Sequence, residues 1–177
     1  MTISKQSNIL KGSNQHLVFL ALGSNIGNSY EILNQAIFYF QESGMLDIIK
    51  VSSFYLTEPW GITNQNWFYN LVIEAATDCS QYELITFAKT IEIYLGRLHR
   101  PKWQEREIDI DLLFYENLIL QNPKITIPHP QIENRKFVLV PMAEIAPKFV
   151  HPILNLSIHE ILLNCKDTSR VIRKDEI

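Results

Sequence analysis

The chain has 177 residues, with 16 Lys and Arg against 19 Asp and Glu for a formal charge of −3, and it is 46% hydrophobic and 20% charged. That length holds one domain with a real core, and the apolar content excludes an intrinsically disordered chain. A pI near 5.9 argues against a general grip on nucleic acid, two cysteines far apart (Cys79, Cys165) exclude a disulfide framework and fit a reducing, cytoplasmic setting, and no apolar run reaches the ~18 residues of a membrane span.

Residues 1–16 are mostly polar and lack both the apolar stretch of a secretion signal and the arginines of a mitochondrial presequence, so they read as a tail before a single domain over 17–177. Residues 17–22 (LVFLAL) predict a buried strand that leaves through Gly23-Ser24-Asn25. Over 28–43, Ile32, Ala36, Ile37 and Phe40 recur at helical spacing, and Gly44 offers a stop. Residues 46–56 predict one strand with Ile49, Val51, Ser53 and Tyr55 on one face; a loop with Pro59 and Gly61 follows, then a strand over 67–76. Ser80 and Glu83 have the spacing of a capping box and open a helix with Leu84, Ala88, Ile91 and Leu95 on one side and Gly96 at its end. After a basic loop, 108–115 reads as a strand with 117–120 pairing beside it, and a second capping box spans Ser157 and Glu160. The order β-α-β-β-α-β predicts an α+β, ferredoxin-like sheet with flanking helices in three αβα layers.

The chemistry concentrates in Arg106-Glu107-Ile108-Asp109-Ile110-Asp111-Leu112. A strand has a side-chain period of two, which puts Asp109 and Asp111 on one face and buries Ile108, Ile110 and Leu112 on the other. Neighbouring carboxylates repel unless a proton or cation sits between them, and oxygen-only ligands favour Mg²⁺ completed by water and phosphate. A solvated strand face with two ordinary acids is the alternative, because Asp-x-Asp alone is a weak motif. Beside it, Arg97, His99, Arg100, Lys102 and Arg106 fall within ten residues of an otherwise acidic chain. Arginine forks grip phosphate oxygens in pairs, so a cationic loop running into an acidic strand suits a polyphosphate; a solvated loop with chance charges is the alternative. No P-loop or Gly-x-Gly-x-x-Gly turn occurs.

Further segments complete the pattern: 21–25 (ALGSN), 51–61 (VSSFYLTEPWG), Phe68-Tyr69-Asn70, Gly96-Arg97, Pro128-His129 and Asn134-Arg135-x-Phe137. In this order, from about Leu17 to beyond Pro147, the chain closely resembles the 6-hydroxymethyl-7,8-dihydropterin pyrophosphokinases (HPPK) of folate biosynthesis. The resemblance implies transfer of the terminal pyrophosphoryl group of ATP to the pterin hydroxymethyl oxygen, with release of AMP. It implies two Mg²⁺ ions on Asp109 and Asp111, and catalytic charge stabilisation by Arg97 and Arg106. Arg100 (or His99, in a loop one residue short), Lys124, His129 and Arg135 would grip phosphates, and Glu92, Trp103, Leu112 and Thr126 would contact the nucleotide. Phe68 and Phe137 would sandwich the pterin, Asn70 would read its amide and amino edge, and Thr57, Glu58, Trp60 and Trp103 would complete the pterin site. The partners implied are ATP and the pterin, without nucleic acid or membrane, on a monomer.

The chain departs from the family at Gln104, where a small residue is usual, at Lys102 for arginine, at Phe68 for tyrosine and at Pro130 for an aromatic. Residues 98–105 are expected to close over both substrates and exclude water. A two-metal nucleotidyltransferase would use the same acid pair but would not require Phe68, Asn70 and Phe137; an RNA-binding module would leave the acids unexplained.

Overall fold

The computed structural model describes residues 15–59, 64–101 and 104–174. Strand β1 (His16–Ser24) turns Val18, Leu20 and Leu22 to one core and Phe19 to another, so the sheet it centres must be covered on both faces. It lies between β4 (Phe68–Thr77) and β5 (Asp109–Tyr115) and is antiparallel to both. Strands β2 (Asp47–Val51) and β3 (Phe54–Thr57) each pair with β4, and β8 (Val171–Lys174) adds to the free edge of β3. The resulting order is β5-β1-β4-β3-β8, with β2 beside β4.

Helix α1 (Ser29–Ser43) starts where the Asn28 side chain accepts the Glu31 N–H, and it stops at Gly44, whose φ of 65° suits glycine. Helix α2 (Gln81–Tyr94) opens on the expected Ser80–Glu83 capping box. Leu33, Ala36 and Phe40 of α1 and Leu84, Ala88 and Ile91 of α2 pack on Val18, Leu20, Leu71, Ile73 and Ile110. On the opposite face, Val138, Leu139 and Met142 of α3 (Lys136–Ile145) and Ile158 and Ile161 of α4 (Ile158–Asn164) meet Phe19, Val72 and Phe114. Each such buried Leu, Ile, Val, Met or Phe side chain contributes about 1.5–3 kcal/mol. Among the described residues no helix is long and apolar enough to cross a membrane.

The structure corrects the sequence reading at several places. The single strand expected over 46–56 breaks at Ser52 and Ser53. The buried Ser52 accepts the Val72 N–H on its hydroxyl, while Ser53 donates both its N–H and its hydroxyl to Glu144, so neither side chain continues the alternation. Ile49 and Val51 of β2, which has a register shift between Ile48 and Lys50, are exposed. Residues 117–120 do not pair with β5: Glu116 takes a φ of 47° and turns the chain away, and β6 (Leu120–Gln121) pairs instead with β7 (Thr126–Ile127). His16, expected in the tail, already pairs with Thr77, and its ring lies 4.8 Å from that of Tyr115. The preceding residues 1–14, together with Trp60, Gly61, Lys102 and Trp103, lie outside the described residues.

Candidate functional site

The central strands carry their side chains in rows across the sheet. On the face that α3 covers, Gly23 stands in register between Asn70 and Asp109, and Ala21 between Val72 and Asp111. Strands are spaced ~4.8 Å apart, so Asn70 and Asp109 are carried about 10 Å apart with only a glycine between them. These small residues floor a cavity of about 600 Å³ that also draws on Thr57, Glu58, Phe68, Arg106, His129, Arg135 and Phe137. Leu113 follows Asp109 and Asp111 at the strand period and joins the cavity lining, and a register shift in the β1–β5 ladder between Phe19 and Leu20 brings Phe114 to the same face.

Gly23 is required by contact rather than by backbone conformation. A Cβ there would sit 2.6 Å from Oδ1 of Asn70. The Asn70 amide is fixed from its other end, where Nδ2 donates to Oγ1 of the buried Thr57 at 2.7 Å. The expected pterin residues Thr57, Glu58, Phe68, Asn70 and Phe137 therefore share one cavity wall system with the expected acids.

Strand β5 buries Ile108, Ile110 and Leu112 in the first core and turns its two aspartates the other way, as their period requires. Asp109 is held by two guanidiniums, Arg97 at 2.6 Å and Arg106 at 2.7 Å. Burial disfavours the charge on Arg97, but Asp109 and Glu92 outweigh it and raise its pKa. No such pair reaches Asp111 among the described residues; burial and the neighbouring charge of Asp109 push its carboxyl up, against His129, Lys89 and Arg135. Burial in turn lowers His129 and Arg135, and the Asp111 carboxylate opposes both shifts. Two hard oxygen ligands side by side fit a divalent metal of the Mg²⁺ type.

Other expected site residues stand outside the cavity lining. Glu92 is 2% exposed and acts as a tie, accepting the Ile110 N–H at 2.7 Å and pairing with Lys89 and Arg97. Arg97 reaches the site through Asp109 rather than by lining the cavity. Arg100 forks onto Glu107 at 2.6 and 2.7 Å, which holds the Glu107 carboxyl down at about 2. Leu112 faces the core, Lys124 is exposed in the turn before β7, and Thr126 is half-buried on β7. Trp60 and Trp103 fall outside the described residues, as does part of the loop expected to close.

Asn25 was given no role by sequence reasoning, yet it joins three segments. Its Oδ1 accepts the Arg106 N–H at 2.8 Å, its Nδ2 donates to Asn66 O at 3.0 Å, and its own N–H donates to Arg106 O. The signal available was its place in the Ala-Leu-Gly-Ser-Asn run directly after the first strand.

The family described as 7,8-dihydro-6-hydroxymethylpterin-pyrophosphokinase (HPPK) matches residues 19–147. A 2-amino-4-hydroxy-6-hydroxymethyldihydropteridine pyrophosphokinase of Aquifex aeolicus is 38% identical over 143 residues, 81% of this chain and 88% of that protein. The enzyme of the same name from Bacillus subtilis is 35% identical over 73% of this chain and 78% of its own length. Among solved structures, Plasmodium falciparum HPPK-DHPS superposes with a TM-score of 0.67 at 16% identity, over 87% of this chain and 45% of that longer one, a likeness of fold.

Proposed function

The chain belongs to the 7,8-dihydro-6-hydroxymethylpterin-pyrophosphokinase family, and on that footing we propose that it is a pyrophosphokinase of folate biosynthesis. It transfers the terminal pyrophosphoryl group of ATP to the hydroxymethyl oxygen of 6-hydroxymethyl-7,8-dihydropterin and releases AMP. The observation that carries this reading is the row Asn70–Gly23–Asp109. It sets an amide able to read a pterin edge beside an acid pair suited to a metal–triphosphate, on one sheet face and with no side chain in between.

Asp109 and Asp111 would hold two Mg²⁺ ions, which when bound neutralise the triphosphate and favour attack by the pterin hydroxyl. Transfer of this kind needs position and charge more than covalent help. Arg97 and Arg106, both on Asp109, are placed to pass their guanidiniums from the carboxylate to phosphate oxygens, while His129 and Arg135 flank the same corner. Arg100, Lys124, Thr126, Leu112 and Glu92 would contact the nucleotide, a reading supported by the resemblance alone. Phe68 and Phe137 offer flat apolar faces to the pterin ring, and Asn70, braced on Thr57, presents a polar edge.

The strand order, with β1 between β4 and β5 and β3 beyond β4, supports reading the core as ferredoxin-like with β2 and β8 added. Residues 17–177 act as a single domain, supported by two cores that share one sheet. A cytoplasmic setting accords with two free cysteines, and a monomer is proposed on the resemblance alone.

The test is product analysis with Mg²⁺, ATP and the reduced hydroxymethylpterin. AMP and the pterin diphosphate should appear in equal amounts and only when pterin is present. Formation of ADP, or AMP release without pterin, would overturn the proposal.

A further inference from the structure

The C-terminal segment from Asp167 to β8 lies beyond residues 19–147, over which the family matches, yet it touches both walls of the pterin end of the cavity. On one side, Asp167 accepts the backbone N–H of Lys136 at 3.0 Å, and the Lys136 ammonium donates to Ser169 O at 3.2 Å. Lys136 opens α3 between Arg135 and Phe137, both of which line the cavity. The carboxylate of Asp167 thus satisfies a backbone N–H in the first turn of α3, which has no partner within the helix backbone. On the other side, the Arg170 side chain donates to Glu58 at 2.7 Å and its backbone N–H donates to the second carboxylate oxygen at 2.7 Å. Glu58 returns its own N–H to Arg170 O, and the Arg170 guanidinium stands 4.8 Å from the ring of Trp67, the residue before Phe68. This arrangement holds the Glu58 carboxyl below its ordinary range through the hydrogen bonds from Arg170.

We infer that this segment is a clasp that sets the gap between the Phe68 wall and the Phe137 wall, with Asp167 and Arg170 as positioning residues for the pterin. The inference rests on the pterin reading of the cavity. A solvated ion pair alone contributes little, and Arg170 is largely exposed. Arg170 differs from such a pair in meeting Glu58 through both side chain and backbone while covering Trp67, and in lying three residues from a second tie to the opposite wall. Two aromatic faces hold a flat ring only at a narrow range of separations, so a clasp across them acts on the ring's affinity and leaves the triphosphate corner alone.

The test compares Arg170→Met and Asp167→Ala with the parent by steady-state kinetics, varying pterin and ATP separately. Arg170→Met leaves the backbone pairing of β8 and β3 in place, and Arg170→Lys keeps the charge without the fork. The expected result is a pterin KM raised about tenfold in Arg170→Met and Asp167→Ala and less in Arg170→Lys, with kcat and the ATP KM within twofold of the parent. A pterin KM within twofold of the parent in all of these variants, or pterin and ATP KM rising together, would overturn the clasp. Pterin-dependent AMP release by the unaltered chain, measured first, tests the proposed function by itself and keeps the two outcomes distinct.

Discussion

At the scale of single residues, the account turns on Gly23 and the groups flanking it. Replacing Gly23 with alanine forces a methyl group to within 2.6 Å of Asn70 Oδ1, so the amide must swing and its bond to Thr57 is lost. The expected outcome is a pterin KM raised about tenfold or more, the cost of one buried hydrogen bond, with the ATP KM little changed; steady-state kinetics checks it. Asp109→Ala and Asp111→Ala should each abolish turnover in Mg²⁺. Arg106→Ala should lower kcat by about 10²–10³-fold, as expected when one donor to the transferring charge is removed. Glu107 gives a prediction in pH. Its folded carboxyl lies at about 2 because Arg100 binds it, below the ordinary 4.5, so the pair stabilises the fold above pH 4.5 and the stabilisation fades as pH falls toward 2. Glu107→Gln should therefore cost on the order of 1–3 kcal/mol at pH 7 and almost nothing near pH 2, read from denaturant melts at both. Of these residues, the acid pair was legible in the sequence because strand periodicity alone puts two aspartates on one side of Ile110. The pairing of Arg100 with Glu107 was not, because it depends on how the loop folds back. Glu92 reads as a polar residue on a helix, and only the packing of α2 against β5 turns it inward.

At the scale of elements, both capping boxes could be read directly, since Ser-x-x-Glu is a local device that satisfies backbone N–H groups without help from elsewhere. Ser80→Ala should cost about 1 kcal/mol of stability and leave kcat unchanged, a difference that a thermal melt and an activity assay separate. The break between β2 and β3 could not be read this way. Ile49, Val51, Ser53 and Tyr55 alternate like one strand, but the break is imposed by Glu144 of α3, 91 residues from Ser53, which captures the Ser53 backbone and the Tyr55 hydroxyl. Likewise, nothing in the alternation of 108–120 announces the turn at Glu116 that sends β6 to β7. Strand β8 carries only four residues with mixed exposure, too short a pattern to predict a partner, and its pairing with β3 follows from an open edge rather than from its own sequence.

At the scale of the whole molecule, one sheet separates two cores, and the site forms where helical cover stops on the α3 face. Under α3 and α4 the pair Phe19–Phe114 is packed; the next row carries Val72, Ala21 and Asp111, the one after it Asn70, Gly23 and Asp109, and all of these but Val72 line the cavity. On the proposed reading, this sheet is a common floor for a pterin and a metal–triphosphate side by side. The most direct test of this claim is a crystal of the chain with Mg²⁺ and a non-hydrolysable ATP analogue. The account predicts metal density on the carboxylates of Asp109 and Asp111, with the Arg97 and Arg106 guanidiniums on phosphate oxygens. Metal bound away from both aspartates, with Arg97 and Arg106 still closed on Asp109, would contradict it.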